Sequence, residues 1–527
     1  MSFPGARHTA RSFILVGLSG MASRHSISIT TPQELAGWIE RYIYEASDEA
    51  RRVWLGLKET SESAAIQQRY EALFTPEVIA TARSFERRAE GRNLEEAERL
   101  RMVIEEGLLA NETAPLEDTL ATDLLQRTVS VAGKTVSYFG LQPAWSREND
   151  YAVRDQLYDA FLGINAETNE LRKECIEAVE RGIRTELGAA DYVSWMEQRK
   201  RFVYRPFLDA LKAAEPNLRR SYEPTMDRRV AARLEVPFGT ARASHAGYLV
   251  RGVSEFDSHF PPKQLRSALL KTLAALGIDL EQMSNITLDT EDRPKKNPRA
   301  VCFPLRVPDE IYLVIKPTGG IHDYEAFFHE AGHALHFGFT DAALPYAFRV
   351  LSRSYALTEI FSYLLEHLIY DPAWLEWGMG MSAEMATHVA AELRNSNLFQ
   401  LLRYIAKLEF ELGFYAAPTE WAHNAQRYSK LLTDATGFIY PQENYLDDFD
   451  SGLYSADYLR AWVTEAQFYE HLASEFGRQW FATPAAGDYL KSLWHEGTTI
   501  ENEDVAVRIG ATPHDTAALE RFYEELA

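Results

Sequence analysis

Apolar side chains recur at three- and four-residue intervals along most of this chain, the spacing of one helix face. The first clear stretch opens at Thr31-Pro32-Gln33-Glu34. A threonine three residues ahead of a glutamate, with proline at the first helical position, is a capping box. Leu35, Trp38, Ile39, Tyr42 and Ile43 then share one face. Pro262 opens another helix, with Leu265, Leu269, Leu273 and Leu276 along one side and Gly277 as its stop. The same period predicts helix over 60–108, 117–132, 150–187, 385–415 and 455–475. There is no repeat of fixed length and no low-complexity tract.

One region breaks the helical period. Pro294, Pro298, Pro304, Pro308 and Pro317 cluster between Asp289 and Gly320. Among them, Glu310-Ile311-Tyr312-Leu313-Val314-Ile315-Lys316 is short, β-branched and bounded by turn residues, and it reads as a strand. A second β segment is expected near 235–253. The pattern predicts a mainly α protein with a small β element: a helical half to about 285, the strand region, then a second helical half.

Composition narrows the class. The chain has 527 residues, 46 % of them hydrophobic and 12 % aromatic, enough for a large core. With 55 basic and 77 acidic residues its formal charge is −22. That excludes a nucleic-acid partner, which needs a basic face, and it favours a soluble monomer that repels its own copies. Cys175 and Cys302 are the only cysteines, so there is no disulfide framework, and a reducing, cytoplasmic setting is expected. No apolar run of about 18 residues predicts a membrane span. Residues 1–24 have two readings. Arg7 and Arg11 ahead of Phe13–Leu18, with Gly20-Met21-Ala22 as a small-x-small site, fit a secretory leader; the other reading is a disordered extension.

The chemistry lies just after the strand. His329-Glu330-Ala331-Gly332-His333 is a His-Glu-x-x-His sequence inside an apolar helical stretch. Residues four apart share a helix face, so both imidazoles can hold one metal ion, with Glu330 as general base beside them. Two imidazoles and a tetrahedral preference point to zinc, one ion per chain. His336 lies on the same helix but turns away from the pair, and a structural role suits it. A third ligand must come from downstream. A histidine six residues after His333 would define one class, but that position is Phe339. The alternative is a glutamate on a later helix, the gluzincin arrangement. Glu359 lies 26 residues after His333 in the apolar helix Ser354–Glu366, with room for a turn through Pro345. Glu359, Ser362 and Glu366 share one face, so Glu359 can bind metal while Glu366 hydrogen-bonds a ligand imidazole. The competing reading of Glu359 is an ordinary surface carboxylate.

Taken together, His329-Glu330-Ala331-Gly332-His333-Ala334-Leu335-His336 and Glu359-Ile360-Phe361-Ser362 with Glu366 resemble the thimet oligopeptidase and oligoendopeptidase F family of zinc peptidases. The lead-in Lys316-Pro317-Thr318-Gly319-Gly320 with Asp323-Tyr324 is compatible with it. The specific resemblance covers about 290–475. Angiotensin-converting enzyme is similar at the zinc site, but it usually has an aspartate four residues after the third ligand, where this chain has Tyr363.

The resemblance implies a two-lobed helical metallopeptidase with a deep central channel and a small β element beside the zinc helix. The N-terminal helical lobe would be 25–285 and the catalytic region 286–527, interleaved in space. It implies hydrolysis of short peptides by zinc-bound water activated by Glu330, as an endopeptidase. It also implies a strand that pairs with the substrate backbone, a role for which Glu310–Lys316 is placed, plain structural pairing being the alternative. The family's Gly/Tyr-rich loop corresponds to 449–462, which offers Tyr454 and Tyr458 as oxyanion donors; core packing is the other reading. No histidine stands between His423 and His471, so the family's upstream histidine donor is missing. Two rival functions remain at this level. One is a carboxypeptidase or dipeptidyl-carboxypeptidase, with Arg299, Lys316 or Arg460 as the clamp for a free C-terminus. The other is a zinc-site protein that binds peptides without cutting them.

Overall fold

The computed structural model of the chain describes residues 27–524, so the leader-or-extension readings of 1–24 lie outside it. Among the described residues helices dominate and strands are few and short. The chain divides into two compact units, neither continuous in sequence. Among the described residues the first comprises 27–114, 256–390 and 460–518; the second comprises 115–255, 391–459 and 519–524. The boundary expected near 285 falls inside the first unit.

In the first unit the expected capping box starts the helix Pro32–Trp54. The Glu34 N–H donates to Thr31 Oγ1 at 3.2 Å, and the Thr31 N–H donates to the Glu34 carboxylate at 3.2 Å. Its apolar face buries Leu35, Ile39, Tyr42, Ala46 and Ala50. The C-terminal end, with Trp54 and Leu55, packs on Phe303, Leu305 and Val314 of a small sheet. The helix Pro262–Ala275 buries Leu265, Leu269 and Leu273 on the predicted side.

That sheet has three strands, Ile286–Asp289, Val301–Arg306 and Glu310–Val314, and the last in sequence is the central one. It runs parallel to Ile286–Asp289, Ile286 opposite Ile311, and antiparallel to Val301–Arg306, Val301 opposite Val314. Ile311, Leu313 and Val314 are buried, as a β-branched strand flanked on both edges should be. The expectation that Glu310–Lys316 pairs with substrate is therefore corrected. Glu310–Val314 is hydrogen-bonded on both sides, and the strands flanking it, Ile286–Asp289 and Val301–Arg306, are the two edges, the latter beside Glu330 through the Cys302 N–H. Pro304, which cannot donate to a ladder, fits that edge position.

Two segments differ from the elements the sequence predicts. Over 117–132 the helix Gly91–Gln126 ends, and Thr128–Val131 pairs with Lys134–Ser137 as a hairpin. Ala132 and Gly133, at φ +49° and +76°, make the turn, and the alternating β-branched residues on either side outweigh helix propensity. The β segment expected near 235–253 is instead the helix Ala243–Val250 followed by a tight helical turn at Arg251–His259. A single bridge, Arg242 to Ile439, is its one trace of strand pairing. An isolated extended segment with no second strand alongside has no ladder to satisfy its backbone.

Candidate active site

A tight turn after the central strand launches the helix Ile321–Phe339. Gly320 has φ +92°, and a side chain there would stand 2.6 Å from an Asp257 carboxylate oxygen. That same carboxylate accepts the Ile321 N–H at 3.0 Å, and the Asp323 carboxylate accepts the N–H groups of Thr318 and Gly319 at 2.5 and 2.6 Å. The Asp257 carboxylate thus satisfies an orphan donor at the helix end, while Asp323 ties down the turn that precedes it. The helix then buries Tyr324, Phe327, Phe328, Ala331 and Leu335, which leaves His329, Glu330 and His333 on its remaining face.

A second helix, Ala356–Glu366, is buried throughout. The two pack backbone to backbone at Gly332: a Cβ there would lie 2.3 Å from the Phe361 carbonyl oxygen and 2.5 Å from Ser362 Cα. The contact brings Glu359 to the imidazoles. Its Oε2 is 3.3 Å from His329 Nε2 and 3.8 Å from His333 Nε2. One donor atom from each of the three residues lies within 4.8 Å of the other two. Donors about 2.1 Å from one tetrahedral ion would stand about 3.4 Å apart, so the set fits zinc in both chemistry and spacing.

The outward-facing atoms are fixed by the other side of each ring. His329 Nδ1 is 2.8 Å from Glu366 Oε2, and His333 Nδ1 is 2.8 Å from Thr358 Oγ1. Both Nε2 atoms therefore turn toward Glu359. The Tyr370 hydroxyl donates to the other Glu366 oxygen at 3.0 Å, and Ser362 Oγ donates to Glu359 Oε2 at 3.0 Å. Thr358 and Tyr370 were missed in the sequence; their signals were adjacency to Glu359 and a four-residue step from Glu366. Tyr363 sets its ring edge-on to His329 and stacks on Trp462.

Electrostatics agree with a cation site. Burial would lower the His329 pKa, but Glu359 and Glu366 outweigh it and push it up to about 10. The negative charge that would hold a proton there is the charge that would hold a metal. Burial lowers His333 to about 4, which keeps it a neutral donor. For Glu366, burial raises the pKa, but the hydrogen bond from His329 outweighs it and the net shift is downward. Glu330 accepts the Cys302 N–H at 2.7 Å, a backbone partner no side-chain pattern announces. Burial raises its pKa against the pull of His329 and this N–H. His336 is 1 % exposed, and its Nε2 lies 3.2 Å from the Gly497 carbonyl, away from the pair.

Tyr454 and Tyr458 belong to the second unit, where their rings pack edge to face and Tyr458 also meets Tyr404. The turn before them is held by buried groups. Lys200 donates to the Gly452 carbonyl at 2.6 Å and pairs with Asp457 at 2.8 Å, while Glu411 accepts the Asp450 N–H and the Ser455 hydroxyl.

A two-helix His-His-Glu centre with an adjacent glutamate defines the class of His-Glu-x-x-His metal sites. Residues 278–489 match the model of Peptidase family M3, a segment that contains every one of these groups and both tyrosines. The match falls on the region whose motifs carry the resemblance, and it supports a peptidase. The fold extends further. PZ peptidase A, solved with an inhibitor, superposes with a TM-score of 0.64 at 14 % identity, covering 94 % of this chain and 91 % of that one. A protein of Bacillus anthracis str. Ames assigned as oligoendopeptidase F gives 0.62 at 15 % identity, covering 94 % and 90 %. Another structure assigned as oligoendopeptidase F also gives 0.62 at 15 %, covering 94 % and 91 %. At such identities the likeness establishes a shared, mainly helical fold. No curated protein sequence matches the chain.

Proposed function

We propose that this protein is a zinc-dependent oligopeptidase that hydrolyses internal peptide bonds of short peptides, one zinc ion per chain, acting as a cytoplasmic monomer. The observation that carries the reading is the convergence of His329, His333 and Glu359 beside a glutamate that is not needed as a ligand. His329, His333 and Glu359 would hold the ion, with Glu366 and Thr358 orienting the two rings. When bound, zinc supplies Lewis acidity, which acidifies a water molecule and polarises the scissile carbonyl.

The chain's own groups supply the rest. Glu330 takes the proton from the attacking water at its carboxylate and passes it to the leaving amine. The Cys302 N–H holds one Glu330 oxygen in place, leaving the other for that transfer. Tyr458, with Tyr454, donates to the oxyanion as charge develops on it. Val301–Arg306, the edge strand beside Glu330, receives the peptide backbone as an added strand.

The test is Glu330→Gln, which keeps shape and hydrogen bonding but cannot accept the proton. Zinc should stay bound and peptide should still bind, while kcat falls at least about 100-fold. Unchanged turnover would refute the mechanism. Retained peptide binding with no turnover even in the wild type would favour the non-catalytic reading.

A further inference from the structure

The hydrogen bonds that orient His329 do not stop at Glu366. Tyr370 is fully buried, and its hydroxyl donates to Glu366 Oε1 at 3.0 Å. A further buried carboxylate, Glu325, bears on the same hydroxyl by charge and by hydrogen bonding. Glu325 Oε2 in turn lies 2.7 Å from His322 Nδ1. His322 is 33 % exposed, so the row reaches the protein surface there. His322, Glu325 and His329 stand at steps of three and four along the helix Ile321–Phe339 and share one face. Glu366 and Tyr370 are four residues apart on the neighbouring segment. The row thus joins a surface imidazole to a metal-ligating one.

One proton in this row has two takers. A phenol carries a single O–H. Burial, with the charges of Glu325 and Glu366, pushes the Tyr370 pKa well above its ordinary value and keeps that proton on its oxygen. Glu366 Oε1 receives the hydrogen bond, while Glu325 Oε1 is buried with no hydrogen bond of its own. A buried carboxylate oxygen without a donor is costly, and the Tyr370 hydroxyl need only rotate to supply one.

His322 engages the other oxygen of Glu325. A carboxylate only accepts, so His322 Nδ1 carries the donated hydrogen. Its Nε2 is buried without a hydrogen bond, so Glu325 is the ring's hydrogen-bond partner among the described residues. Without His322, Glu325 would have both oxygens to satisfy and the Tyr370 hydroxyl within reach.

Resting on the zinc reading above, we infer that His322 is a positioning residue for the metal centre. By occupying Glu325 it keeps the Tyr370 hydroxyl on Glu366, and so keeps Glu366 on His329. Glu325 is a competitor for that hydroxyl, held in check from the surface.

The experiment reads zinc affinity of the full chain by chelator competition, with melting of the metal-free protein alongside. His322→Ala should weaken zinc binding by about three- to tenfold, less than the tenfold to hundredfold for a residue that touches a ligand. Glu325→Gln removes the competing charge and can itself donate to the phenol oxygen. It should stay within about twofold of the wild type, and the double variant should return to that level. A merely structural contact predicts the reverse, with a double variant at least as weak as either single one. Loss of a positive charge alone would tighten binding of a metal cation. On a Tyr370→Phe background, His322→Ala should cost nothing further, since no hydroxyl is left to redirect. Unchanged or tighter binding in His322→Ala would overturn the inference. So would a double variant no better than His322→Ala, or an undiminished His322→Ala effect without the Tyr370 hydroxyl. A wild type that binds no zinc would overturn it together with the zinc reading. Peptide cleavage is scored separately. The predicted zinc pattern without any cleavage would leave the role of His322 standing and refute the peptidase reading.

Discussion

Replacing Gly332 by alanine tests whether close helix contact builds the metal site. A Cβ at 332 would stand 2.3, 2.5 and 2.7 Å from the Phe361 carbonyl oxygen, Ser362 Cα and the Phe361 carbonyl carbon. These are backbone atoms of a fully buried helix, so no side chain can rotate away. Restoring ordinary contact requires the two helices to part by roughly 1 Å. Two energies oppose. Alanine in a helix interior is favoured over glycine by about 1 kcal/mol, while forcing a methyl group into a packed core costs about 1–3 kcal/mol. The net change is destabilising by about 0–2 kcal/mol, and the protein should still fold. The larger effect falls on the metal. Glu359 is carried on the displaced helix, three residues before Ser362, and metal–ligand distances tolerate only about 0.2 Å. Zinc affinity should fall by at least the tenfold to hundredfold seen when a ligand's support is removed. The assay is zinc affinity by chelator competition, alongside melting temperature of the metal-free protein. Gly338→Ala is the control. It lies on the same helix with the same gain in propensity, but its Cβ meets the end of the Ile286 side chain at 2.6 Å, which can rotate. Wild-type zinc affinity in Gly332→Ala would refute the argument, as would an equal loss in both variants.

Three further outcomes are expected. Glu366→Gln leaves His329 a hydrogen-bond acceptor without the charge and should weaken zinc binding by about tenfold, measured by the same competition; unchanged affinity would mean that Glu366 does not tune its imidazole. Tyr458→Phe should lower kcat by about 100-fold with KM nearly unchanged if the phenol meets the transition-state charge. Core packing would shift melting by about 1 kcal/mol at most and leave the rate alone, and Tyr454→Phe measured alongside separates the two phenols. Burial pushes Glu411 up to about 8 against the pull of Lys407. A carboxyl with a raised folded pKa contributes stability that is full below its unfolded value of about 4.5 and is lost as pH rises through about 8. Melting temperature should therefore drop less between pH 6 and 9 in Glu411→Gln than in the wild type, and parallel profiles would contradict this.

What the sequence alone determined is what one helix or one turn can enforce. The four-residue step from His329 to His333 puts two imidazoles on one face whatever surrounds them, because the helical period is local. The same holds for the face shared by Glu359, Ser362 and Glu366, and for the capping box at Thr31. The helix Pro262–Ala275 and the existence of the Glu310–Val314 strand were legible for this reason, and the resemblance of these motifs supplied the family. The tertiary structure decided everything that depends on which distant segments meet. Alternation can identify a strand but not its place in a sheet, so only the pairing showed Glu310–Val314 to be central and Val301–Arg306 to be an edge. The Cys302 N–H on Glu330 and the Thr358 hydroxyl on His333 carry no periodic signal, since a backbone donor is present at every residue and its partner is chosen by packing. Arg460, Lys316 and Arg299 are equivalent cations in sequence. Only the placement of Glu503, 2.8 Å from Arg460, and of Asp292, 2.8 Å from Lys316, committed the first two, because a charge's partner is set by three-dimensional distance, which separation along the chain does not encode.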